Sequence, residues 1–502
     1  MGDLEGIGMI VFKDFSFRYE ERERPTLRSI DLEIADGECV LLTGRSGCGK
    51  TTLIRSLNGL IPHFYPGEIH GTLELDGESL LEKTPSELAG RVGTVFQDPR
   101  SQFFMTDTTR ELAFGCENLG LAREKTVARV ANAVRTLSLE NFLGRSIFSL
   151  SSGEKQQIAI GSVYAMQPRV VIFDEPSANL DHAATHRLAL MMAELKRAGV
   201  TLIIVEHRFY YLRDLIDRAY LIQDGRITRA FSREAFSALS EAERVQMGLR
   251  TVYPERETVR TQKNSNTAVQ HTLVVESLGF AYKGGPSVLS RVSFEARSGE
   301  VVGVIGHNGA GKTTLLSLIT GLLKEQHGRI LFDGEALSMR QRRALSYLVL
   351  QDTDYQLFAA SVEEELSLGH RDDVSEKIER VLAELGLSDY RAVHPAALSG
   401  GQKQRVTIGA AIVAESPLIV FDEPTSGLDY DSMVRVSALI EKLARAGVIV
   451  FVVSHDFEFI ARTASRIVQL DAAGAVTSEA LTPTLLATIA EKYFSLEGDH
   501  HV

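Results

Sequence analysis

The chain has 502 residues, of which 44% are hydrophobic and 24% are charged, and its net charge is −12. A chain of this length is expected to form several domains with large buried cores. The negative charge argues against non-specific nucleic-acid binding as the main function, so we expect no nucleic-acid partner. The three cysteines lack the spacing of metal ligands, and so low and odd a number is typical of a reducing compartment.

The sequence predicts no membrane-crossing segment. The first 15 residues show no basic stretch followed by an apolar one, so no signal peptide is predicted. Apolar runs such as 448–453 are far shorter than the roughly 20 residues of a membrane helix. We therefore expect a soluble chain that reaches a membrane only through a partner.

The same series of motifs occurs twice in the same order. The pairs are GRSGCGKTT (44–52) and GHNGAGKTT (306–314), VFQDPRSQFF (95–104) and VLQDTDYQLF (349–358), LSSGEKQQ (150–157) and LSGGQKQR (398–405), VVIFDEPSANLD (170–181) and LIVFDEPTSGLD (418–429), and IVEHR (204–208) and VVSHD (452–456). A repeat longer than about 200 residues indicates two duplicated domains rather than a solenoid.

The offset between equivalent residues is constant over the last part of the repeat. From the LSSGE and LSGGQ motifs onward, equivalent residues are 248 positions apart, whereas Lys50 and Lys312 are 262 apart. The first copy therefore has 14 more residues than the second between its glycine-rich loop and its LSSGE motif, some of them in segment 61–71.

The junction between the copies is polar. Residues 232–248 have the pattern of one short polar helix, and residues 251–270 lack apolar periodicity, so we expect an exposed linker there. The predicted organisation is a first domain at 1–231, a helix and linker at 232–271, and a second domain at 272–502.

Each copy alternates strand-like and helix-like patterns, which predicts an α/β domain with a largely parallel sheet covered by helices. The continuously apolar runs predicted as buried strands are 38–43, 170–173, 202–205, 301–305, 419–421 and 448–453. The helices predicted after the glycine-rich loops are 51–58 and 313–320. Segments 97–165 and 351–411 have the pattern of a helical subdomain.

Each GxxxxGKT motif lies between a predicted strand and a predicted helix, as a phosphate-binding loop does. Its glycines let backbone N–H groups surround phosphates, its lysine supplies positive charge, and the first threonine offers a hydroxyl to Mg²⁺. The residues predicted to bind nucleotide are Gly44, Ser46, Gly47, Gly49, Lys50, Thr51 and Thr52, and Gly306, Asn308, Gly309, Gly311, Lys312, Thr313 and Thr314.

The LSSGE and LSGGQ motifs combine small residues with the predicted start of a helix. Backbone N–H groups can approach a phosphate there, and the helix N-terminus adds partial positive charge. Taken alone, either motif is also compatible with an ordinary turn that starts a helix. The predicted phosphate-binding residues are Ser151, Ser152, Gly153, Ser399, Gly400, Gly401 and Gln402. Because a carboxylate facing phosphate is unfavourable, we expect Glu154 to point away from it.

An acidic pair ends one buried strand in each copy. Asp174 and Asp422 are predicted to hold Mg²⁺, and Glu175 and Glu423 to polarise an attacking water. The alternative is a solvent-exposed pair at a strand end, but the identical FDEP context in both copies favours the catalytic interpretation.

Three further residue types recur at matched positions. Gln97 and Gln351 are predicted to reach the metal or the water, and His207 and His455 to contact the γ-phosphate and hold the water. Single residues of these types more often have structural roles. The functional interpretation therefore depends on their recurrence at matched positions in both copies. The rings predicted to stack on adenine, or alternatively to pack against their own strands, are Tyr19 and Tyr282.

Together these residues resemble the ATP-binding cassette (ABC) family over nearly the whole chain, and LSGGQ distinguishes that family from other phosphate-loop NTPases. The resemblance implies two tandem domains, each with a mainly parallel core sheet, an antiparallel β part and a helical subdomain. It implies that the halves pair head to tail within the chain. Residues 44–52 with 399–402 would then form one ATP site, and 306–314 with 151–154 the other.

The resemblance also implies ATP hydrolysis to ADP and phosphate, with ATP and Mg²⁺ as cofactors. The roles that it implies are catalytic bases for Glu175 and Glu423, switch histidines for His207 and His455, and coupling between the sites for Asp181 and Asp429. We expect both sites to hydrolyse ATP, unequally if the signature differences at Ser152 and Glu154 matter.

Within the family, segments 58–77, 95–120 and 350–369 look like the duplicated ATPase of energy-coupling factor (ECF) transporters. That resemblance implies an integral membrane scaffold subunit, a substrate-binding membrane subunit, and a vitamin, vitamin precursor or metal ion as substrate. Segments 103–115 and 357–369 would receive coupling helices of the scaffold, unless they only begin the helical subdomain. The chain would then be peripheral on the cytoplasmic face of the cell membrane.

Three alternatives are less consistent with the sequence. In the fused ATPases of sugar importers one half usually has degraded catalytic residues, whereas both halves here are complete. A twin-cassette translation factor acting on ribosomes would favour a long, basic, helical linker. A DNA-repair cassette ATPase would need zinc-binding cysteines or a long coiled coil.

Overall fold

A computed structural model describes residues 9–259, 269–471 and 473–494. The chain divides into two compact units, Met1–Val252 and Tyr253–Val502, which we call the first and second halves. Each half has an antiparallel sheet, a larger and mainly parallel sheet, and a set of helices. The predicted α/β class with two tandem domains is confirmed.

The elements follow the same order in both halves. Those of the first half are β1 (Ile10–Tyr19), β2 (Leu27–Ile34), β3 (Cys39–Thr43), α1 (Lys50–Leu57), α2 (Leu60–His63), β4 (Gly67–Leu75), β5 (Glu78–Ser79), α3 (Pro85–Leu88), β6 (Val92–Val95), α4 (Thr108–Asn118), α5 (Arg123–Leu137), α6 (Ser152–Ala165), β7 (Val170–Asp174), α7 (His182–Arg197), β8 (Thr201–Val205), β9 (Arg218–Gln223), β10 (Arg226–Ser232), α8 (Arg233–Ser237) and α9 (Glu241–Met247). Those of the second half are β11 (Thr272–Ala281), β12 (Ser287–Arg297), β13 (Val301–Ile305), α10 (Lys312–Ile319), β14 (His327–Phe332), β15 (Glu335–Ala336), α11 (Met339–Leu345), β16 (Ser346–Val349), α12 (Val362–Ser367), α13 (Ser375–Leu385), α14 (Gly400–Ala414), β17 (Leu418–Asp422), α15 (Tyr430–Arg445), β18 (Ile449–Val453), α16 (Phe457–Thr463), β19 (Arg466–Leu470), β20 (Val476–Ala480) and α17 (Pro483–Phe494).

The two larger sheets have equivalent strand orders. The first is β10-β9-β3-β8-β7-β6 and the second is β20-β19-β13-β18-β17-β16, each parallel except for its last hairpin strand, β10 or β20. Every residue of the central strands β3, β8, β13 and β18 is buried, because helices or the second sheet cover both faces. This explains why the predicted strands read as continuous apolar runs, and their positions are confirmed.

The antiparallel sheets, β2-β1-β4-β5 and β12-β11-β14-β15, pack on these cores. In the first half one hydrophobic cluster includes Phe12 of the antiparallel sheet, Leu53 of α1 and Val40 of the parallel sheet. Fully burying a side chain of this kind stabilises the fold by roughly 1.5–3 kcal/mol. The helix that follows the phosphate loop is therefore fixed between two sheets.

The predicted helical subdomains are confirmed, as α4 to α6 and α12 to α14. Glycines let their helices approach closely: a Cβ on Gly161 would lie 2.8 Å from Leu112 Cδ2 of α4, and one on Gly409 would lie 2.9 Å from Leu385 Cδ1 of α13. In the described parts of both halves, no helix combines the length and apolar character needed to cross a membrane.

The junction differs from the prediction in two ways. The single helix predicted at 232–248 is two helices, α8 and α9, because Ser240 begins a new capping box with Glu243. The predicted linker is not exposed at its start, since Val252 is 2% exposed and Pro254 is buried, and the turn Pro254–Arg256 packs against α17. The prediction of exposure was wrong because the apolar side chains at this junction lack helical spacing, yet they are buried outside any long helix or strand. The middle of the predicted linker, 260–268, lies outside the described residues.

Candidate nucleotide sites

The predicted catalytic residues of each half gather at the carboxyl ends of parallel strands. In the first half the phosphate loop follows β3, Gln97 follows β6, Glu175 follows β7 and His207 follows β8. The second half repeats this arrangement with β13, β16, β17 and β18. Because neighbouring parallel strands end at one edge, residues more than 100 positions apart in sequence meet there, and such edges are the usual binding crevices of α/β sheets.

Both phosphate loops hold their lysines in the same way. Lys50 Nζ donates to the carbonyl oxygens of Gly44 (2.9 Å) and Arg45 (3.1 Å). Lys312 Nζ does the same to Gly306 (2.8 Å) and His307 (2.9 Å). The ammonium group therefore spans its own loop, where it can turn to the phosphates of a nucleotide.

Glycine is required where each loop meets its helix. Gly49 and Gly311 cap α1 and α10 with φ of 113° and 95°, and a Cβ on either would lie 2.9 Å from a neighbouring side chain, Leu27 or Val288. Both conditions disfavour any larger residue. The backbone N–H groups of the following turn are thereby left accessible at a helix N-terminus, which suits an anion.

The predicted adenine-stacking tyrosines are tied to the loops by hydroxyl contacts. Tyr19 lies at the end of β1 and its hydroxyl is 3.1 Å from Thr52 Oγ1, and the Tyr282 hydroxyl is 3.1 Å from Thr314 Oγ1. The Tyr282 ring is 51% exposed. Each ring is thus anchored beside the phosphate loop, and adenine stacking stays a prediction.

The donors proposed for Mg²⁺ are a hydroxyl and a buried carboxylate in each half. Burial, with the neighbouring Glu175 carboxylate, raises the pKa of Asp174 to about 6, and burial also raises the pKa of Asp422. Thr313 Oγ1 lies 3.4 Å from Asp422 Oδ2. Oxygen ligands with a buried negative charge fit a hard divalent cation, which would offset the unfavourable burial.

The predicted catalytic glutamates have the same unusual backbone. Glu175 and Glu423 have φ of 46° and 51°, and their N–H groups donate to Val205 and Val453 at 2.9 Å. A glutamate is rarely found in this left-handed region, and such conformations concentrate at functional sites.

Each of these glutamates lies beside its histidine. The distance from His207 Nε2 to Glu175 Oε1 is 3.4 Å, and the matching distance from His455 to Glu423 is 3.5 Å. Gln97 Nε2 donates to Glu175 Oε2 at 3.3 Å. Gln351 occupies the equivalent position, two residues after the end of β16. The structure therefore brings base, histidine and glutamine together in the first half and base and histidine in the second.

The residue before the histidine differs between the halves. Glu206 is 2% exposed, and its Oε1 accepts the N–H groups of His207 (2.7 Å) and Arg208 (3.2 Å). Ser454 is its counterpart, and there the His455 N–H donates instead to Glu423 Oε2 at 3.2 Å. The histidine backbone is thus tied to a separate carboxylate in one half and to the predicted base in the other.

The signature motifs open α6 and α14, as predicted. Ser151 and Ser399 are N-caps with capping boxes, formed with Glu154 and Gln402. An added Cβ at Gly400 would meet nothing within 4 Å, which explains why the first copy tolerates Ser152.

Glu154 is turned back onto its own helix end, and its orientation relative to a bound phosphate stays a prediction. Its Oε2 accepts the Ser151 N–H at 2.7 Å, and its Oε1 accepts from Arg145 Nη1 at 2.9 Å. Burial raises the pKa of Glu154, but these hydrogen bonds outweigh burial, and the pKa lies below its usual value. At the equivalent positions the second half has Val393 and Gln402, an uncharged pair.

The fourth residue of the LSSGE and LSGGQ motifs is glycine in both halves, but the two glycines are packed differently. A Cβ on Gly153 would lie 2.7 Å from the Ala184 Cβ of α7, whereas a Cβ on Gly401 would make only ordinary contact with Leu428 at 3.9 Å. Close helix packing therefore requires glycine in the first half only.

The residues assigned to coupling between the sites, Asp181 and Asp429, are buried N-caps of α7 and α15. Their Oδ1 atoms accept the N–H groups of Ala184 and Ser432, each at 2.8 Å. These carboxylates thereby fix the loops that follow the catalytic glutamates, and their coupling role stays a prediction.

An exposed aromatic residue follows the glutamine in each half. Phe104 and Phe358 are 72% and 77% exposed. Buried glutamates hold these turns, since Glu111 Oε2 accepts the Phe104 N–H at 3.0 Å and Glu365 Oε2 accepts the Phe358 N–H at 2.7 Å. Phe104 also stacks on Phe114. Both halves thus present an apolar ring to solvent from a firmly held turn.

Sequence reasoning missed Arg145 and Glu206. Glu206 had a weak signal, because a glutamate precedes the shared histidine in IVEHR and a serine precedes it in VVSHD, but these segments also differ at two other positions. Arg145 had none, since it lies nine residues before its partner in a stretch without a recognisable motif.

Comparison with known proteins agrees with this geometry. The family described as ABC transporter matches residues 27–178 and 289–426. A protein of Treponema denticola named as an ABC transporter ATP-binding protein is 42% identical over 466 residues, covering 92% of this chain and 95% of the relative. A similarly named protein of Methanosarcina mazei is 31% identical, covering 92% and 87%.

One solved structure covers almost the whole chain. A structure named RNase-L Inhibitor superimposes with a TM-score of 0.62 and 22% identity, covering 95% of this chain and 93% of that one. At this identity the likeness shows the fold alone. The family match and the sequence relatives establish the family: the chain belongs to the ABC transporter ATPases, which bind and hydrolyse ATP, and it carries two fused cassettes in one polypeptide.

Proposed function

We propose that the protein is the energy-coupling ATPase of a membrane transporter of the energy-coupling factor type, which takes up a vitamin, a vitamin precursor or a metal ion. The observation that carries the proposal is the exposed ring, Phe104 or Phe358, at the same place in each half. Exposed apolar surface of this kind marks interaction sites. The names of the relatives, ABC transporter ATP-binding proteins, support the same conclusion.

In the proposed mechanism the two halves pair head to tail around two ATP molecules. The signature at 399–402 completes the site begun by residues 44–52, and the signature at 151–154 completes the site of residues 306–314. Each phosphate loop with its lysine and each signature helix N-terminus then surrounds the γ-phosphate from opposite sides, so closure assembles the catalytic site.

The proposed chemistry within each site follows from the side chains beside the γ-phosphate. Glu175 and Glu423 accept the proton of the attacking water, and His207 and His455 hold the γ-phosphate and the water in place. The groups proposed to hold Mg²⁺ are Thr51, Gln97 and Asp174 in the first half and Thr313, Gln351 and Asp422 in the second. Bound there, the ion neutralises negative charge on the β- and γ-phosphates.

The proposed partners are two integral membrane proteins. A scaffold subunit docks on segments 103–115 and 357–369, and a second subunit captures the substrate. The ATPase is then peripheral on the cytoplasmic face of the membrane. Because one ring is supplied by each half, a scaffold with two docking helices would be engaged by both halves together.

The experiment is co-purification of the full-length chain from detergent-solubilised membranes of its own source. We expect integral membrane proteins to be captured, and we expect Phe104→Ala combined with Phe358→Ala to reduce the captured amount by at least ten-fold. Phe148→Ala is the matched control, because Phe148 is 79% exposed but its counterpart in the second half is already alanine. Ribosomal subunits in place of membrane proteins would overturn the transporter assignment.

A further inference from the structure

We propose that Glu206 is a positioning residue of the first half, where it holds the His207 loop and the loop after Glu175 in catalytic register. The inference deepens the proposed function, because it rests on Glu175 being the base of that half. Glu206 is 2% exposed and its carboxylate binds protein groups, so it acts through the groups that it binds.

Glu206 joins two loops that carry proposed catalytic residues. Its Oε1 accepts the N–H groups of His207 and Arg208. Its Oε2 accepts the Ser177 N–H at 3.3 Å and the Ser177 hydroxyl at 2.7 Å, and Ser177 lies two residues after Glu175. One buried carboxylate therefore fixes the backbone on both sides of the His207–Glu175 contact.

A tyrosine completes the cluster. The Tyr211 hydroxyl donates to Glu206 Oε2 at 2.7 Å. Burial and the Glu206 carboxylate raise the pKa of Tyr211 well above its usual value, so the hydroxyl remains a donor. Two carboxylate oxygens thus receive five N–H and O–H donors, which is the kind of hydrogen bonding that a buried charge needs.

The second half lacks this link. At the equivalent positions it has Ser454 and Phe459, and the hydroxyl of Thr425, the counterpart of Ser177, is buried without a hydrogen-bond partner among the described residues. There the Ser454 hydroxyl lies 3.4 Å from Glu423 Oε2, which also accepts the His455 N–H. The serine is too short to bridge the loops, so the base itself receives these donors.

The consequence is a difference between the two catalytic glutamates. In the second half, backbone and hydroxyl donors from the end of β18 restrain Glu423. In the first half Glu206 receives the equivalent histidine N–H, and Glu175 contacts the His207 ring and Gln97. We therefore expect the first half to hydrolyse ATP faster than the second.

The test uses four variants of the full-length chain and measures kcat and KM for ATP hydrolysis together with Tm for unfolding. Glu206→Ser leaves buried donors unsatisfied, so both Tm and kcat are expected to fall. Glu206→Ser with Tyr211→Phe reproduces the pair of the second half and removes the unsatisfied hydroxyl, so Tm is expected to recover. Its kcat is expected to stay roughly five-fold low with KM within about two-fold, because only positioning is lost.

Glu206→Gln keeps one acceptor oxygen for the His207 and Arg208 N–H groups, and it is expected to retain most of kcat. If kcat recovers together with Tm in the double variant, Glu206 has only a structural role and the inference is overturned. Glu175→Gln separates this failure from that of the proposed function. If Glu175→Gln leaves the ATPase rate unchanged, Glu175 is not the catalytic base. If Glu175→Gln lowers the rate but the Glu206→Ser, Tyr211→Phe double variant keeps the wild-type rate, only the positioning role of Glu206 is refuted.

Discussion

The two halves of the chain are alike in the lysine, tyrosine, glutamate and histidine contacts of their candidate nucleotide sites. They differ in the residues that support these contacts. The lysine-to-carbonyl, tyrosine-to-threonine and glutamate-to-histidine distances agree within about 0.2 Å between halves. The differences are paired. Arg145 and Glu154 are replaced by an uncharged pair, and Glu206 and Tyr211 by Ser454 and a phenylalanine. The comparison teaches that the duplicated sites diverged mainly through their supporting contacts, while the lysine and threonines of the phosphate loop, the acidic pair and the histidine stayed the same.

The largest expected effect tests whether both halves are catalytic. Glu175→Gln and Glu423→Gln, made separately, should each lower hydrolysis at their own site by roughly 100-fold or more, because a positioned general base contributes that much. The steady-state ATPase rate of each variant should therefore fall to that of the remaining site. We expect Glu175→Gln to have the greater effect. Binding of a fluorescent ATP analogue serves as the control and should be unchanged. If either variant keeps the normal rate, the base of that half is assigned wrongly.

A smaller effect is expected from the signature glycines. Gly153→Ala should destabilise the chain by about 1–3 kcal/mol, because the new methyl group would overlap the Ala184 Cβ. Gly401→Ala is the matched variant, and its methyl group makes only an ordinary contact. Urea unfolding of both variants measures the difference. Equal destabilisation would mean that the two signature helices are packed alike.

The charged pair beside the first signature should matter less. Arg145→Gln is expected to lower stability by roughly 0.5–1 kcal/mol, since the pair is partly exposed. Adding Glu154→Gln should restore most of the loss, because it removes the carboxylate that Arg145 neutralises. A double-mutant cycle in urea unfolding gives the coupling free energy. A coupling free energy of zero would show that the ion pair contributes nothing.

The smallest effect is a pH dependence confined to the first signature. The folded pKa of Glu154 is below its unfolded value, so its stabilisation is fully present above pH of about 4.5 and is lost as the pH falls through the folded pKa. The stability difference between the wild type and Glu154→Gln should therefore shrink from pH 7 to pH 4. Gln402→Glu, which creates an acid without an arginine partner, is the control and should show a weaker dependence. A difference independent of pH would contradict the assignment.

Local sequence patterns predicted most of the fold. The buried strands are continuous apolar runs because both sheet faces are covered, and their bounds moved by only one or two residues, as for the predicted 38–43 and the observed Cys39–Thr43. The motifs also located the phosphate loops, the acidic pair and the histidines, since each lies directly after a strand. These features depend on neighbours in sequence, which a pattern can record.

The features that escaped prediction depend on contacts between distant residues. The burial of Val252 and Pro254 results from packing, and no periodic sequence pattern predicts it. Glu206 and Ser177 are 29 positions apart in sequence. The pairing of Arg145 with Glu154 can be recognised only from their contact in the folded chain. The exposure of Phe104 is equally a property of a turn held by a buried glutamate.

The Glu206 cluster has a consequence for the evolution of the duplicated chain. Changing Glu206 alone to serine leaves the Tyr211 hydroxyl and the His207 N–H without their acceptor, and changing Ser454 alone to glutamate buries a carboxylate beside a phenylalanine. The order of substitution therefore matters: the aromatic residue has to change before, or together with, the glutamate or serine. A half that has lost the glutamate regains it only after its phenylalanine has become tyrosine, and this dependence helps to keep the two cassettes different.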